Sequence, residues 1–193
     1  MLPSARKLEF SEVPVIDLGP LRSGAQSDRR NVATAIGEAC GRVGFFYIIN
    51  HGIPERSVEA IFKTARDFHE LPIEAKMESC VANNDHFQGY LPGMTQSRDQ
   101  RVARTMQEAF QIRRPLSPDD PDLRAGTPLH GLIPWPSAMP DLQSRMMSYF
   151  HEVDALGYSL LELFELSLDL PKGSFGKFFK KDMNCLRLLH YPP

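Results

Sequence analysis

Residues 32–54 read VATAIGEACGRVGFFYIINHGIP, and the fold turns on them. Val32, Ile36, Ala39, Cys40 and Val43 make one apolar stripe at steps of three and four, which predicts a helix over 28–43. Gly44 ends it. Phe45 to Ile49 form a continuous apolar run, the pattern of a strand buried on both faces. Asn50-His51-Gly52-Ile53-Pro54 reads as a turn, with Pro54 placed to open the next helix. That helix carries Val58, Ile61, Phe62, Ala65 and Phe68. Upstream, Val13-Pro14-Val15-Ile16-Asp17-Leu18, closed by Gly19-Pro20, predicts an edge strand.

Further along, Pro72 opens a short helical piece to Ser79, and periodicity lapses over 81–97. Thr105 to Arg113 predicts a strand, with Met106, Phe110 and Ile112 apolar. Seven prolines between Pro115 and Pro140 predict a long loop, a surface wrap or a lid. The longest periodic signal runs over 137–170, with Leu142, Met146, Phe150, Val153, Leu156, Leu160, Phe164 and Leu168 on its apolar side. A helix of ~30 residues would be ~45 Å long. Pro171 stops it. Gly173 to Lys181 reads as a short basic helix and Cys185 to Tyr191 as a strand. The order is an α+β pattern.

Composition narrows the function classes. The chain has 193 residues, 42% hydrophobic and 24% charged, with Lys+Arg 22 against Asp+Glu 24 and a net charge of -2. That balance excludes a disordered polyelectrolyte and argues against a nucleic-acid partner or a membrane-surface partner, both of which call for a basic excess. The N-terminal residues lack the apolar core of a secretory signal, and no stretch is apolar enough to span a bilayer. Three cysteines, Cys40, Cys80 and Cys185, in no C-x-x-C pair, fit reduced thiols in a cytoplasmic setting, each read as a small buried apolar residue.

Of the six histidines, none has an acid two residues on, so the H-x-D/E element of a facial iron triad is absent from these 193 residues. His151 and Asp154 could reach one ion from a helix face, although a solvated face is the plainer reading. His69-Glu70 lacks the second histidine of a zincin. No G-x-S-x-G or G-x-x-x-x-G-K-[ST] occurs. Arg98, Arg101 and Arg104, interleaved with Asp99, read as a solvated face rather than a phosphate site. Phe87, Gly89, Tyr90 and Leu91, apolar in a polar loop, either pin that loop or line a pocket.

Several separated strings agree with one family. They are Val13 to Leu18; Ala39 to Tyr47 running into Asn50-His51-Gly52-Ile53; Phe68 to Lys76; Gly89-Tyr90; Glu108-Ala109-Phe110; Pro134-Trp135-Pro136; and Leu186-Arg187-Leu188-Leu189-His190-Tyr191-Pro192-Pro193. On these the chain resembles the N-terminal part of the isopenicillin N synthase-like branch of non-haem Fe(II)/2-oxoglutarate oxygenases, with a lean towards bacterial ethylene-forming and amino-acid-oxidising members. His51 takes a structural role in a turn.

The resemblance implies a double-stranded β-helix, or jelly roll, preceded by helices and strands. Residues 1–136 would form the N-terminal non-haem dioxygenase region. Residues 137–193 would form the support helix and the first strand of the oxygenase domain, with most of the barrel and the iron ligands beyond residue 193. It implies Fe(II) and 2-oxoglutarate as cofactors of the complete enzyme, not bound by this chain alone. It further implies dioxygen, a small-molecule substrate and a monomer. Tyr191 would help hold 2-oxoglutarate. Arg187, on the same strand face, would serve 2-oxoglutarate or an acidic substrate, or else form an outward salt bridge. Phe87, Tyr90 and Leu91 would face substrate. No catalytic residue or metal ligand is expected within the chain. The competing reading is a non-catalytic binding or interaction protein derived from the same family.

Overall fold

The computed structural model describes residues 13–93 and 107–192. Among these residues, five strands and five α-helices order as β1 (Val15–Asp17), α1 (Gln26–Arg42), β2 (Tyr47–Ile49), α2 (Glu55–His69), α3 (Ile73–Met77), β3 (Gly89–Leu91), β4 (Glu108–Arg113), α4 (Pro121–Arg124), α5 (Leu142–Ser167) and β5 (Cys185–His190). Two compact units divide them. One takes the described residues to Pro54 with Glu152–Lys181, the other Glu55–His151 with those from Asp182. Each unit therefore draws on both sides of the expected boundary at 136/137.

In the first unit β1 and β2 pair in parallel, Val15 opposite Tyr47 and Asp17 opposite Ile49. Asp28 at the start of α1 and Arg42 at its end suit the helix dipole. The helix closes on Gly44, at φ 96°, whose N–H donates to the Ala39 carbonyl. Val32, Ala33, Ile36 and Ala39 are buried with Ile16, Leu18 and Leu163. Two of the strings in the sequence meet here, because Asn50 Nδ2 donates to Asp17 Oδ1 at 2.7 Å. The Gly19 amide donates to the same oxygen. Those two bonds hold the Asp17 carboxyl below its ordinary value. After α5, the buried Glu165 carboxylate accepts the amides of Gly173 and Phe175, each at 2.7 Å, and so fixes the turn.

The second unit holds an antiparallel sheet in the order β3-β4-β5. Phe110 faces Tyr90 on one side and Leu188 on the other. Its core packs Phe68, Tyr90, Phe110, Ile112, Leu142, Met146 and Leu188. The Phe68 ring lies 4.8 Å from Phe110 and 5.9 Å from Tyr90, centroid to centroid. Each such buried side chain contributes about 1.5–3 kcal/mol by leaving water.

Several expectations are corrected. Phe45 to Ile49 is not buried on both faces: Phe45, Tyr47 and Ile49 are exposed, because β2 has β1 as its one pairing partner among the described residues. The long helix runs over Leu142–Ser167, shorter than 137–170. The basic segment is a single 3-10 turn, Gly176–Phe178. β3 emerges inside what reads as loop, since its three residues gain strand geometry by pairing with β4 and by the bridge of Tyr90 to Cys80. Phe62 is exposed on α2. Of the cysteines only Cys80 is buried. Arg98, Arg101 and Arg104 lie outside the described residues, as do Thr105 and Met106.

Candidate functional site

Glu108 opens β4 with its carboxylate turned inwards, its side chain 14% exposed. Four groups converge on it. Lys76 Nζ, from α3, sits 2.8 Å from Oε2, and the Tyr90 hydroxyl donates to the same oxygen. Oε1 faces His190 Nδ1 at 2.8 Å and His69 Nδ1 at 3.3 Å. His69 closes α2 and His190 closes β5, so the sheet register and the helix end bring the two rings to a centroid distance of 5.1 Å. Lys76 is itself buried and also donates to the His69 carbonyl at 3.0 Å. His69 Nε2 lies 3.3 Å from the Leu188 carbonyl.

The electrostatics follow from this crowding. Burial alone would push the Glu108 carboxyl up. Hydrogen bonds from Lys76, Tyr90 and His190, joined by His69 once that ring is protonated, outweigh burial and bring it to about 2 from an ordinary 4.5. Burial and the hydrogen bond to Glu108 push the Tyr90 phenol up. For His69 burial is the largest influence and lowers its pKa, against the opposing pull of Glu108. A carboxyl depressed in the folded state contributes stability that is present in full above its unfolded pKa and lost as pH falls through the folded one. Unfolding in chelator should therefore ease progressively between pH 4.5 and about 2, with about 3 kcal/mol at stake. Denaturant midpoints across that range should flatten in Glu108→Gln; an unaltered acid profile in the variant would contradict the assignment.

His69, Glu108 and His190 are the one group of three or more metal-type side chains found to converge among the described residues. His151 and Asp154 are not in it. The donors suit a divalent transition ion. They do not suit an iron centre that must also chelate 2-oxoglutarate and admit dioxygen. The His69 side chain is only 4% exposed, Lys76 and Tyr90 hold the second carboxylate oxygen, and the spacing is not H-x-D.

The sequence-predicted residues divide. Along β5, Cys185, Arg187 and Leu189 are exposed, as is Tyr191 just beyond, while Leu188 is buried; Arg187 and Tyr191 thus share a face, as period two requires. Arg187 Nε donates to Gln111 Oε1 at 2.7 Å, and Gln111 Nε2 donates to the Phe87 carbonyl. The buried Gln111, which sequence reasoning passed over, links two of the expected site residues. Phe87 is exposed and holds a positive φ of 60°. Of the other two residues expected to face substrate, Tyr90 and Leu91 are buried within this chain, Tyr90 against Phe68. His51 accepts the Ile53 amide at its Nδ1, consistent with a turn role.

Comparison with known proteins sets this geometry in context. A family model described as non-haem dioxygenase in morphine synthesis, N-terminal, matches residues 13–138. The chain is 33% identical over 193 residues to the 2-oxoglutarate-Fe(II) type oxidoreductase ppzC of Metarhizium majus, covering 95% of this chain and 52% of that protein. It is 32% identical over 204 residues to isopenicillin N synthase of Streptomyces microflavus, covering 100% and 57%. Among solved structures, a full-length Neurospora crassa protein in complex with alpha-KG superposes with a TM-score of 0.76 at 25% identity, covering 93% of this chain and 54% of that one. The chain spans about half the length of the curated relatives it matches.

Proposed function

The chain belongs to the isopenicillin N synthase-like family of 2-oxoglutarate- and iron(II)-dependent oxygenases, and we propose that it serves oxidation of a small molecule by such an enzyme. In this reading it supplies the N-terminal region and the first strand of the oxygenase sheet, with the iron triad and most of the barrel contributed by residues outside these 193. When bound, iron and 2-oxoglutarate would supply the oxidant, through oxidative decarboxylation coupled to dioxygen. The chain's own residues bind and orient.

The observation that carries the reading is the Arg187–Gln111–Phe87 linkage beside Tyr191. With Nε committed to Gln111, the Arg187 guanidinium is held at one end, and its remaining N–H groups can grip a carboxylate in a fork. That carboxylate belongs to 2-oxoglutarate or to an acidic substrate. The Tyr191 hydroxyl would add one contact to the co-substrate, and the exposed Phe87 ring would screen the site from water. A non-glycine residue at positive φ costs about 1 kcal/mol or more, a strain consistent with a loop set for recognition.

The full reading frame, supplied with Fe(II) and 2-oxoglutarate in air, should release succinate above a metal-free control. Arg187→Gln should raise the KM for 2-oxoglutarate or for an acidic substrate by about tenfold or more, from loss of a charge-assisted pair. Absence of succinate formation by folded, iron-loaded protein would overturn the oxygenase reading. Residues 1–193 alone should give no charge-transfer band with Fe(II) and 2-oxoglutarate.

A further inference from the structure

We propose that His69 Nδ1, Glu108 Oε1 and His190 Nδ1 form a binding site for a divalent transition-metal ion of the zinc and nickel class. The inference is independent of the oxygenase reading. His69 Nε2 lies 3.3 Å from the Leu188 carbonyl, which can only accept, so this nitrogen carries the hydrogen. In the neutral ring Nδ1 is then a bare lone pair. It is buried, forms no hydrogen bond, and points at Glu108 Oε1 3.3 Å away. A lone pair facing a carboxylate oxygen repels it, and a cation between the two removes that conflict.

The two spacings about Glu108 Oε1 fit such an ion. Bonds of ~2.0–2.1 Å in octahedral to tetrahedral geometry place neighbouring ligand atoms ~2.9–3.4 Å apart. The two histidine nitrogens lie 3.3 and 2.8 Å from Glu108 Oε1, and donor atoms of all three residues fall within 4.8 Å. Outer partners are in place as well. The Leu188 carbonyl orients His69, while Lys76 and Tyr90 hold the other Glu108 oxygen; Oε1 meets His190 Nδ1, and the ion would replace the hydrogen shared between those two atoms. The half-exposed His190 gives the way in.

Lys76 opposes any cation here, which sets the selectivity. Calcium and magnesium, which want all-oxygen shells, gain nothing to offset the ammonium. Ions that bind imidazole nitrogen strongly do. Such an ion would tie the end of α2 to β4 and β5.

The test uses chelator-stripped 193-residue chain, titrated with Zn²⁺ by calorimetry and thermal melting, and with Co²⁺ as an absorbing stand-in. One equivalent should bind, raise Tm and give visible ligand-field bands, while Mg²⁺ does neither. Because His69→Ala risks unfolding, the chief variant is His190→Ala, which should weaken binding at least tenfold with unchanged circular dichroism. His151→Ala should bind as the parent does. A folded chain that takes up no zinc would overturn the proposal and leave a proton alone between His69 and Glu108. Binding that survives His190→Ala, or is lost in His151→Ala, would overturn it equally.

Discussion

Glu108→Ala should destabilise the metal-free chain by about 3–5 kcal/mol, the range for removing one partner of a buried ion pair. The reason lies in what it strands. Lys76, with its side chain 8% exposed, keeps an ammonium that has lost its carboxylate and is left with its hydrogen bond to the His69 carbonyl. The Tyr90 hydroxyl loses its acceptor within the aromatic core. A buried group left unpaired costs about 1–3 kcal/mol, more when charged. Glu108→Gln should cost less, since an amide keeps the shape and can still accept from Lys76 and Tyr90. Adding Lys76→Met to Glu108→Gln should recover part of the loss, because the stranded charge is then gone. Chemical denaturation of the parent, Glu108→Gln, Lys76→Met and the double variant measures the coupling, expected within about 0.5–3 kcal/mol. Glu108→Ala costing under ~1 kcal/mol would show that the cluster does not hold the second unit together.

Why this cluster escaped a reading of spacings is clear from the chain. Its three members come from a helix end and two strands, far apart in sequence, and no local period can register them. Yet each lies in a string that carried the family resemblance: Phe68 to Lys76 holds both His69 and Lys76, Glu108-Ala109-Phe110 holds the acid, and the β5 string holds His190. The strings marked something physical that spacing arguments could not name. Periodicity did locate α1, α2, α5 and β5, where apolar residues recur at a regular step along the element. It misjudged Phe45 to Ile49, because burial depends on what packs against a run, and β2 pairs only with β1 among the described residues. It missed β3, whose Gly89, Tyr90 and Leu91 are strand through pairing with Gln111, Phe110 and Ala109 and through the bridge of Tyr90 to Cys80. The shared face of Arg187 and Tyr191 was legible because alternation along a strand is local. The link through Gln111 was not, because it depends on register between β4 and β5.

Gly89→Ala is expected to be among the most damaging single-methyl changes in the chain, costing about 3 kcal/mol or more. Two causes coincide at this position. The backbone sits at φ 105°, where side chains are strained. A methyl there would also lie 2.0 Å from the Ser79 carbonyl oxygen and 2.9 Å from Pro134 Cγ. The Ser79 oxygen cannot swing aside as a side chain would, since it belongs to the backbone and accepts the Tyr90 amide at 2.8 Å. Making room for the methyl therefore breaks that bond and displaces β3. Tyr90 moves with it, taking its ring from Phe68 and its hydroxyl from Glu108. Gly126→Ala isolates the first cause. It has a positive φ of 62° but nothing within 4 Å of the added methyl, so it should cost only about 1–2 kcal/mol. Urea midpoints for the two variants should separate widely. If they match, the close approach of β3 to Ser79 contributes little, and the positive φ alone accounts for glycine at 89.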